Sequence, residues 1–163
     1  KKVNWSLILF FVGLFIVIGS VQESGLLAWQ ARKMLDVAGG DSTSTILLMS
    51  TFVLSLSGIM DNIPVAATLI PLVRSMADMG LDPVPLWWAL VLAANLGGNS
   101  TPIGSVSSVI ALNGLEKECN TKVGWGEFLK VGGIILVIQG ITVLIYLYLF
   151  SKLHLFPGAA PIG

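Results

Sequence analysis

The sequence predicts an all-α integral membrane protein. Of its 163 residues, 55% are hydrophobic and only 11% charged, where soluble domains average about 25% charged. Several apolar runs approach or exceed the roughly 18 residues that mark a membrane-spanning helix. Two of the apolar stretches also break in the middle, at polar knots of Gly, Asn and Pro: Ser57-Gly58-Ile59-Met60-Asp61-Asn62-Ile63-Pro64, and Leu96-Gly97-Gly98-Asn99-Ser100-Thr101-Pro102-Ile103-Gly104-Ser105. Hydrocarbon cannot solvate free peptide groups, so unwound chain at membrane depth survives only inside protein or against a watery cavity.

The composition also excludes several classes. Net charge is zero with no basic stripe, which argues against nucleic acid as a partner. The lone Cys119 leaves no disulfide framework and no Cys-rich metal site. The chain opens on Lys1 rather than Met, as expected of a piece of a longer protein or a processed product. Lys1 and Lys2 before an apolar run suggest a signal peptide, but Ser20-Val21-Gln22-Glu23 leads into an amphipathic segment without a small-x-small cleavage pattern.

Residues 5–20 read as a spanning helix, with Trp5 at the interface where indoles concentrate. Residues 23–37 alternate Leu26, Leu27, Trp29, Met34 and Leu35 with Gln30, Arg32, Lys33 and Asp36, an amphipathic pattern suited to a helix leaving the bilayer or lying along its surface. Gly39-Gly40-Asp41-Ser42 is a turn, and Ser42 to Thr45 offers N-caps for the next element. Residues 45–73 would measure about 43 Å as one helix, too long for a core of about 30 Å without strong tilt. Gly58 and Pro64 instead predict a re-entrant hairpin of two limbs, the first about 14 residues long, with its tip near 61–62.

A polar loop with Asp78, Asp82, Pro83 and Pro85 follows, and Trp87-Trp88 marks the return through the interface. Residues 86–112 form a broken helix, its loop at 97–102, with Asn113-Gly114 as its stop. Glu116 to Lys130 is polar and interfacial, anchored by Trp125 and Phe128. Residues 131–150 are a second spanning helix. In this topology Lys1, Lys2, Lys117, Lys122 and Lys130 share one face against Arg32, Lys33, Arg74 and Lys152, which places the N-terminus in the cytoplasm.

Paired Gly/Pro-interrupted segments are the best sequence pointer to a transporter's binding site. Each knot puts proline where a half-helix would begin, a position whose N–H has no intrahelical partner. Asp61 or Asn62 is placed to cap the limb at Pro64, and Ser100 or Thr101 the one at Pro102. Helix N-termini present N–H groups and partial positive charge to a carboxylate or other oxyanion. The limbs ending near Gly58 and Gly97–Gly98 present carbonyls, and with Asn62, Asn99, Ser100 and Thr101 they suit a hard cation such as Na⁺, with Asn62, Asn99 and Thr101 as ligands. Asp61, the one carboxylate deep in a hydrophobic segment, reads either as a proton or cation carrier or as an N-cap.

Thr45, Thr51 and Thr68 read as interhelical packing residues, Gly132-Gly133 and Gly140 as points of close helix approach, and Gln139 as a bond to a neighbouring helix. Arg74 is interfacial, Met49 and Met60 face lipid or core, and His154 belongs to a solvated tail. No Ser/His/Asp set, HExxH, CxxC or P-loop is present, so an enzyme is not expected, nor a resident cofactor beyond Na⁺ or H⁺ as coupling ion.

At the two knots the chain resembles the ion transporter superfamily, which gathers arsenite permeases, citrate and dicarboxylate carriers, D-type sodium/proton antiporters and the melanosomal P protein. Residues 57–64, with Thr68 and Pro71, are similar to that family's hairpin. Trp87-Trp88-Ala89-Leu90 and residues 96–105 resemble its broken helix, and Gly126 to Gly132 the arm before its last span. The resemblance implies two inverted repeats, of which this chain is the C-terminal one. Substrate and coupling ion would sit between hairpin tip and broken-helix loop, at Gly58, Asp61, Asn62, Pro64, Gly98, Asn99, Ser100 and Thr101. Sodium-coupled dicarboxylate carriers have Ser-Asn-Thr at both tips; Asp61-Asn62-Ile63-Pro64 departs from that and points towards the arsenite, antiporter and P-protein branch.

The function expected is therefore the C-terminal half of a secondary ion or anion transporter, working by alternating access around a midplane site in a plasma or inner membrane. Its partners would be the bilayer, a small inorganic or organic ion, and the other repeat or a second copy, the full transporter being a homodimer. The alternatives are a non-transporting membrane scaffold or subunit, and a half-transporter assembling as an inverted dimer.

Overall fold

Seven α-helices make up the computed structural model, which describes residues 5–119, 122–153 and 155, with the side chains of Ser6, Leu7, Val106 and Cys119 left aside. Lys1, Lys2 and His154 lie outside the described residues, as does the side chain of Cys119. The helices are α1 (Trp5–Glu23), α2 (Leu26–Val37), α3 (Ser42–Ile59), α4 (Asn62–Asp78), α5 (Pro83–Gly97), α6 (Val106–Cys119) and α7 (Trp125–Lys152). There are no strands among the described residues.

Helices α3 and α7 are each long and apolar enough to cross a membrane, and α1 with α2 passes the same test only as a pair, bent by 62°. The bend falls at Gly25, whose φ of 73° lies in the left-handed region that glycine enters without penalty. Past the bend, α2 turns inward. Its Leu27, Ala31 and Met34, one helical face at i, i+4 and i+7, are buried in the common core and pack towards α4.

The first broken segment starts earlier than its composition suggested. Asp41 is the N-cap, its carboxylate accepting the Ser44 N–H at 2.7 Å. That bond, foremost among the causes, holds the Asp41 carboxyl below its ordinary range. Helix α3 also continues through Gly58 to Ile59, so the first limb has 18 residues rather than about 14. Gly58 stays helical because bareness is what the site needs: a Cβ there would lie 2.6 Å from Ser100 Oγ.

The directions of the helices follow from their contacts. The Thr43 and Ser151 hydroxyls share a hydrogen bond of 3.1 Å, and Gly140 faces Leu54, so α3 and α7 run antiparallel. Asn62, at the start of α4, bonds Asn95 near the end of α5, and the four residues Met79–Asp82 join α4 to α5 at their other ends, so these two are also antiparallel. The ends of α3 and α5 meet, Ser57 Oγ donating to the Ala94 carbonyl. The chain consequently reverses at Met60–Asp61. Helix α5 is the hub: Leu86, Ala89, Leu90, Ala93 and Ala94 are all essentially buried between α3, α4 and α7.

Hydroxyls in these apolar helices mostly bond one turn back within their own helix. Thr45 donates to Asp41 O, Ser50 to Ile46 O, Thr51 to Leu47 O, Ser55 to Thr51 O and Thr68 to Pro64 O. The three threonines expected between helices thus satisfy themselves locally.

The C-terminal boundaries move outward. Helix α6 runs through Asn113-Gly114, where a stop was expected, and Gly114 has no positive φ. It packs against no other helix among the described residues. Helix α7 starts at Trp125 rather than 131 and ends at Lys152. Between them, Lys122 pairs with Glu116 at 2.9 Å, a bond that raises the lysine's pKa.

Two predictions follow. A folded-state pKa below the unfolded one stabilises above the ordinary carboxylate range and loses that contribution as pH falls through the lowered value. Asp41→Ala should accordingly speed amide exchange across the first turn of α3 at neutral pH, and wild type should match it only at strongly acid pH. Gly97→Ala places a Cβ 2.5 Å from the Leu54 carbonyl oxygen and 2.9 Å from Ser57 Cβ; it should cost about 1–3 kcal/mol, read as a lower thermal midpoint of the full-length protein in detergent.

Candidate functional site

The two breaks lie together. At the first, α3 ends on Met60 in an extended conformation and α4 begins after Asp61. Asp61 is the N-cap of α4, its Oδ1 accepting the Ile63 N–H at 3.1 Å, while the Asp61 carbonyl accepts from Val65 N. Pro64 sits at the third helical position rather than the first, still within the turn whose N–H groups lack intrahelical acceptors. Asp61 and Asn62 are half-buried, flanked by exposed Ile59, Met60 and Ile63.

At the second break, α5 ends on Gly97 and α6 does not begin until Val106. The cap of α6 is Ser105, whose Oγ accepts the Ser108 N–H at 3.2 Å. Pro102 is therefore not the first residue of a half-helix, and neither Ser100 nor Thr101 caps one. Both lie in the loop, with Pro102 buried. What holds the loop compact is backbone against backbone: Gly98 and Gly104 face each other so closely that a Cβ on either would meet the other's carbonyl oxygen. The Ser105 hydroxyl, three residues before a free N–H, then offers the better cap.

Three glycines and a serine join the breaks. Gly97 lies against the Leu54 carbonyl, Gly58 faces Ser100 Oγ, and Gly132 of α7 presses on the Ser100 carbonyl. Ser100 is buried, its hydroxyl donating to Gly97 O at 2.8 Å. Asn99 is exposed and its Nδ2 donates to Gln139 Oε1 of α7 at 3.4 Å, so Gln139 serves the loop itself. Gly58, Gly98 and Ser100 are thus gathered at one place, with Asn99 and Thr101 beside them. No hydrogen bond among the described residues links Asp61 or Asn62 directly to Asn99, Ser100 or Thr101.

Two residues carry signals of their own. Thr101 Oγ1 is a buried side-chain polar atom without a hydrogen-bond partner, alone in this among the described residues. An unpaired buried hydroxyl costs about 1–3 kcal/mol, and groups of this kind collect where a ligand completes them. Asn95 was not singled out from the sequence, yet it receives the Asn62 amide; a polar side chain inside the apolar run Leu90–Leu96 was the available clue. No three of His, Cys, Asp or Glu converge among the described residues. A cavity of about 350 Å³ opens beside the second loop, lined by Asn99, Glu127, Phe128, Val131, Gly132 and others. A second, of about 400 Å³, lies between α2 and α3, away from both breaks.

Comparison with known proteins matches residues 1–159 to a family described as citrate transporter. The chain belongs to the citrate transporter family. It is 37% identical over 160 residues to an uncharacterized transporter of Mycobacterium tuberculosis, covering 94% of this chain and 37% of that protein. An uncharacterized transporter of Synechocystis is 26% identical over 156 residues, covering 85% and 34%. The P protein of Sus scrofa is 28% identical over 154 residues, covering 90% and 18%. The chain thus spans little more than a third of the bacterial transporters it matches. Membership places this citrate transporter family chain in the superfamily its two knots resembled, P protein included.

Thr101→Val removes the unpaired hydroxyl at nearly constant volume. It should raise the thermal midpoint of the ligand-free full-length protein, by the equivalent of about 1 kcal/mol; a lower midpoint would show that the hydroxyl is satisfied in the folded protein.

Proposed function

We propose that this chain is the C-terminal half of a secondary active transporter that moves an organic anion of the citrate type by alternating access, coupled to a cation at Asp61. The observation that carries the reading is the packing of two backbone breaks against one another, Gly58 of the first against Ser100 of the second, and Gly97 of the second against Leu54 and Ser57 at the end of α3. Peptide groups unwound in this way are tolerated at membrane depth where they line a substrate cavity.

In this reading α3 and α4 form a re-entrant hairpin and α5 with α6 a broken crossing helix. The second loop, with Thr101 Oγ1 and the Asn99 amide, supplies the anion's hydrogen bonds. The Asp61 carboxylate, with the neutral oxygens of Asn62, Asn99 and Thr101, supplies the H⁺ or Na⁺ site. Opposite charges bound side by side lower each other's cost of leaving water, which ties the two fluxes together. A second, inverted repeat elsewhere in the full-length protein would provide the matching pair of breaks, the functional unit being a homodimer in a plasma or inner membrane with the N-terminus cytoplasmic. Beyond proton exchange at Asp61, no group in this mechanism forms or breaks a covalent bond.

Vesicles holding the full-length protein test this. Asp61→Asn should abolish pH- or Na⁺-dependent citrate exchange, and Asn99→Ala should weaken citrate binding about tenfold, the scale of a hydrogen bond to a charged group. Labels at Ser42 and Arg74, both exposed, should react from the same side of the membrane. Unchanged coupling in the Asp61 variant, or labelling from opposite sides, sinks the reading; a full-length protein that moves none of citrate, arsenite and Na⁺ leaves the scaffold alternative in its place.

A further inference from the structure

We propose that Asn95 is a positioning residue that fixes the polarity of the α3–α4 tip, turning the amide oxygen of Asn62 outward as a cation ligand. The inference rests on the reading of that tip as an ion site and adds to it a residue that neither knot contains.

The argument is one of donors and acceptors. Asn95 lies in the last turn of α5, and its Nδ2 donates to the Val91 carbonyl, one turn back, at 2.8 Å. A carbonyl takes only a donor, so the Asn95 amide has one allowed orientation, with Oδ1 directed away from its own helix. Asn62 Nδ2 donates to that oxygen at 3.2 Å. An acceptor there takes only the NH₂ side of the Asn62 amide, so the Asn62 oxygen faces the other way. The relay runs Val91 carbonyl, Asn95 amide, Asn62 amide, and its free end is an oxygen.

The neighbouring group has the same polarity. Asp61 spends one carboxylate oxygen on the Ile63 N–H. The tip therefore presents a carboxylate and an amide oxygen, both acceptors, the amide held by a residue of a different helix. Hard monovalent cations are bound by oxygen sets of this kind, whereas an oxyanion would be met by N–H groups. The relay also ties the tip to α5, so the oxygen keeps its direction only while α4 and the end of α5 stay in register. The bond of Asn62 to Asn95 is one half-buried side chain on one exposed side chain, so it contributes little to the core. Its removal should be felt in ion affinity before it is felt in folding.

The purified full-length protein, titrated with Na⁺ while its thermal midpoint is followed, separates these effects, because a ligand that binds only the folded protein raises the midpoint with concentration. Asn95→Ala should raise the half-saturating Na⁺ concentration about fivefold, about 1 kcal/mol at 1.4 kcal/mol per decade. Asn95→Asp, which keeps an oxygen for Asn62 Nδ2 but loses the donor to the Val91 carbonyl, should bring it part of the way back towards the wild-type value. A wild-type midpoint that ignores Na⁺ overturns the inference. So does an Asn95→Ala protein whose midpoint without Na⁺ falls while its half-saturation stays put, since that is a structural role alone. If Asp61→Asn abolishes coupled exchange and the Asn95→Ala titration is unmoved, only the positioning role fails; intact coupling in Asp61→Asn removes the site reading itself.

Discussion

The constraint on which the rest of the structure depends is that peptide groups cannot be left bare in hydrocarbon. Helices α3 and α5 each stop among apolar residues, so each leaves carbonyls and N–H groups without intrahelical partners. The structure meets this by bringing the two stops together and stripping the side chains from the contact. Gly97 lies on the Leu54 carbonyl, Gly98 on Gly104, Gly58 on Ser100, and Gly132 of α7 closes the remaining side. Those contacts set the directions of three helices at once, because α3, α5 and α7 must all present a bare position at the same depth.

The same constraint explains how the polar side chains are used. Serines and threonines within α3 and α4 turn their hydroxyls onto carbonyls of their own helix and cost the apolar surroundings little. At the breaks this local solution is withdrawn. Ser57 reaches across to α5, Asn62 to Asn95, and Asn99 to Gln139. Cross-helix polar bonds are thus concentrated where the backbone is interrupted, and Thr101 is left with a buried hydroxyl that no protein group reaches. In the proposed reading, that open hydroxyl is where a ligand is received.

Much of this could be read from residue types. Gly, Asn and Pro in otherwise apolar runs located both breaks, and Asp61 was legible as a cap because Asx residues before a helix accept its first N–H groups. The start of α6 was not legible. Pro102 carries a strong local preference for a first helical position, but packing of Gly98 on Gly104 holds that stretch as a loop until Ser105, and no local rule encodes a contact between two glycines six residues apart. Residues 113–114 misled for a similar reason, since Gly114 takes no positive φ and so does not make the left-handed stop that Asn-Gly commonly marks. The alternation of Leu26, Leu27, Trp29, Met34 and Leu35 with polar residues showed an amphipathic α2 without showing that Leu27, Ala31 and Met34 form the face packed towards α4. Asn95 escaped because a single Asn in Leu90–Leu96 has no meaning until Asn62 is beside it.

The two breaks are also unequal, and the inequality has a direction. The first is closed by its own residues: Asp61 caps α4, and the Asn62 amide is spoken for by Asn95, so what remains to face outward is oxygen. The second is closed by glycine backbones, which consume no side chain, and its remaining group is a hydroxyl able to donate as well as accept. In the proposed reading, a site assembled from one face that only accepts and another that can donate treats the two partners of a cation–anion pair differently. Asymmetry of this kind is what a coupled carrier requires, since a site equally suited to both ions would bind them without linking their movement.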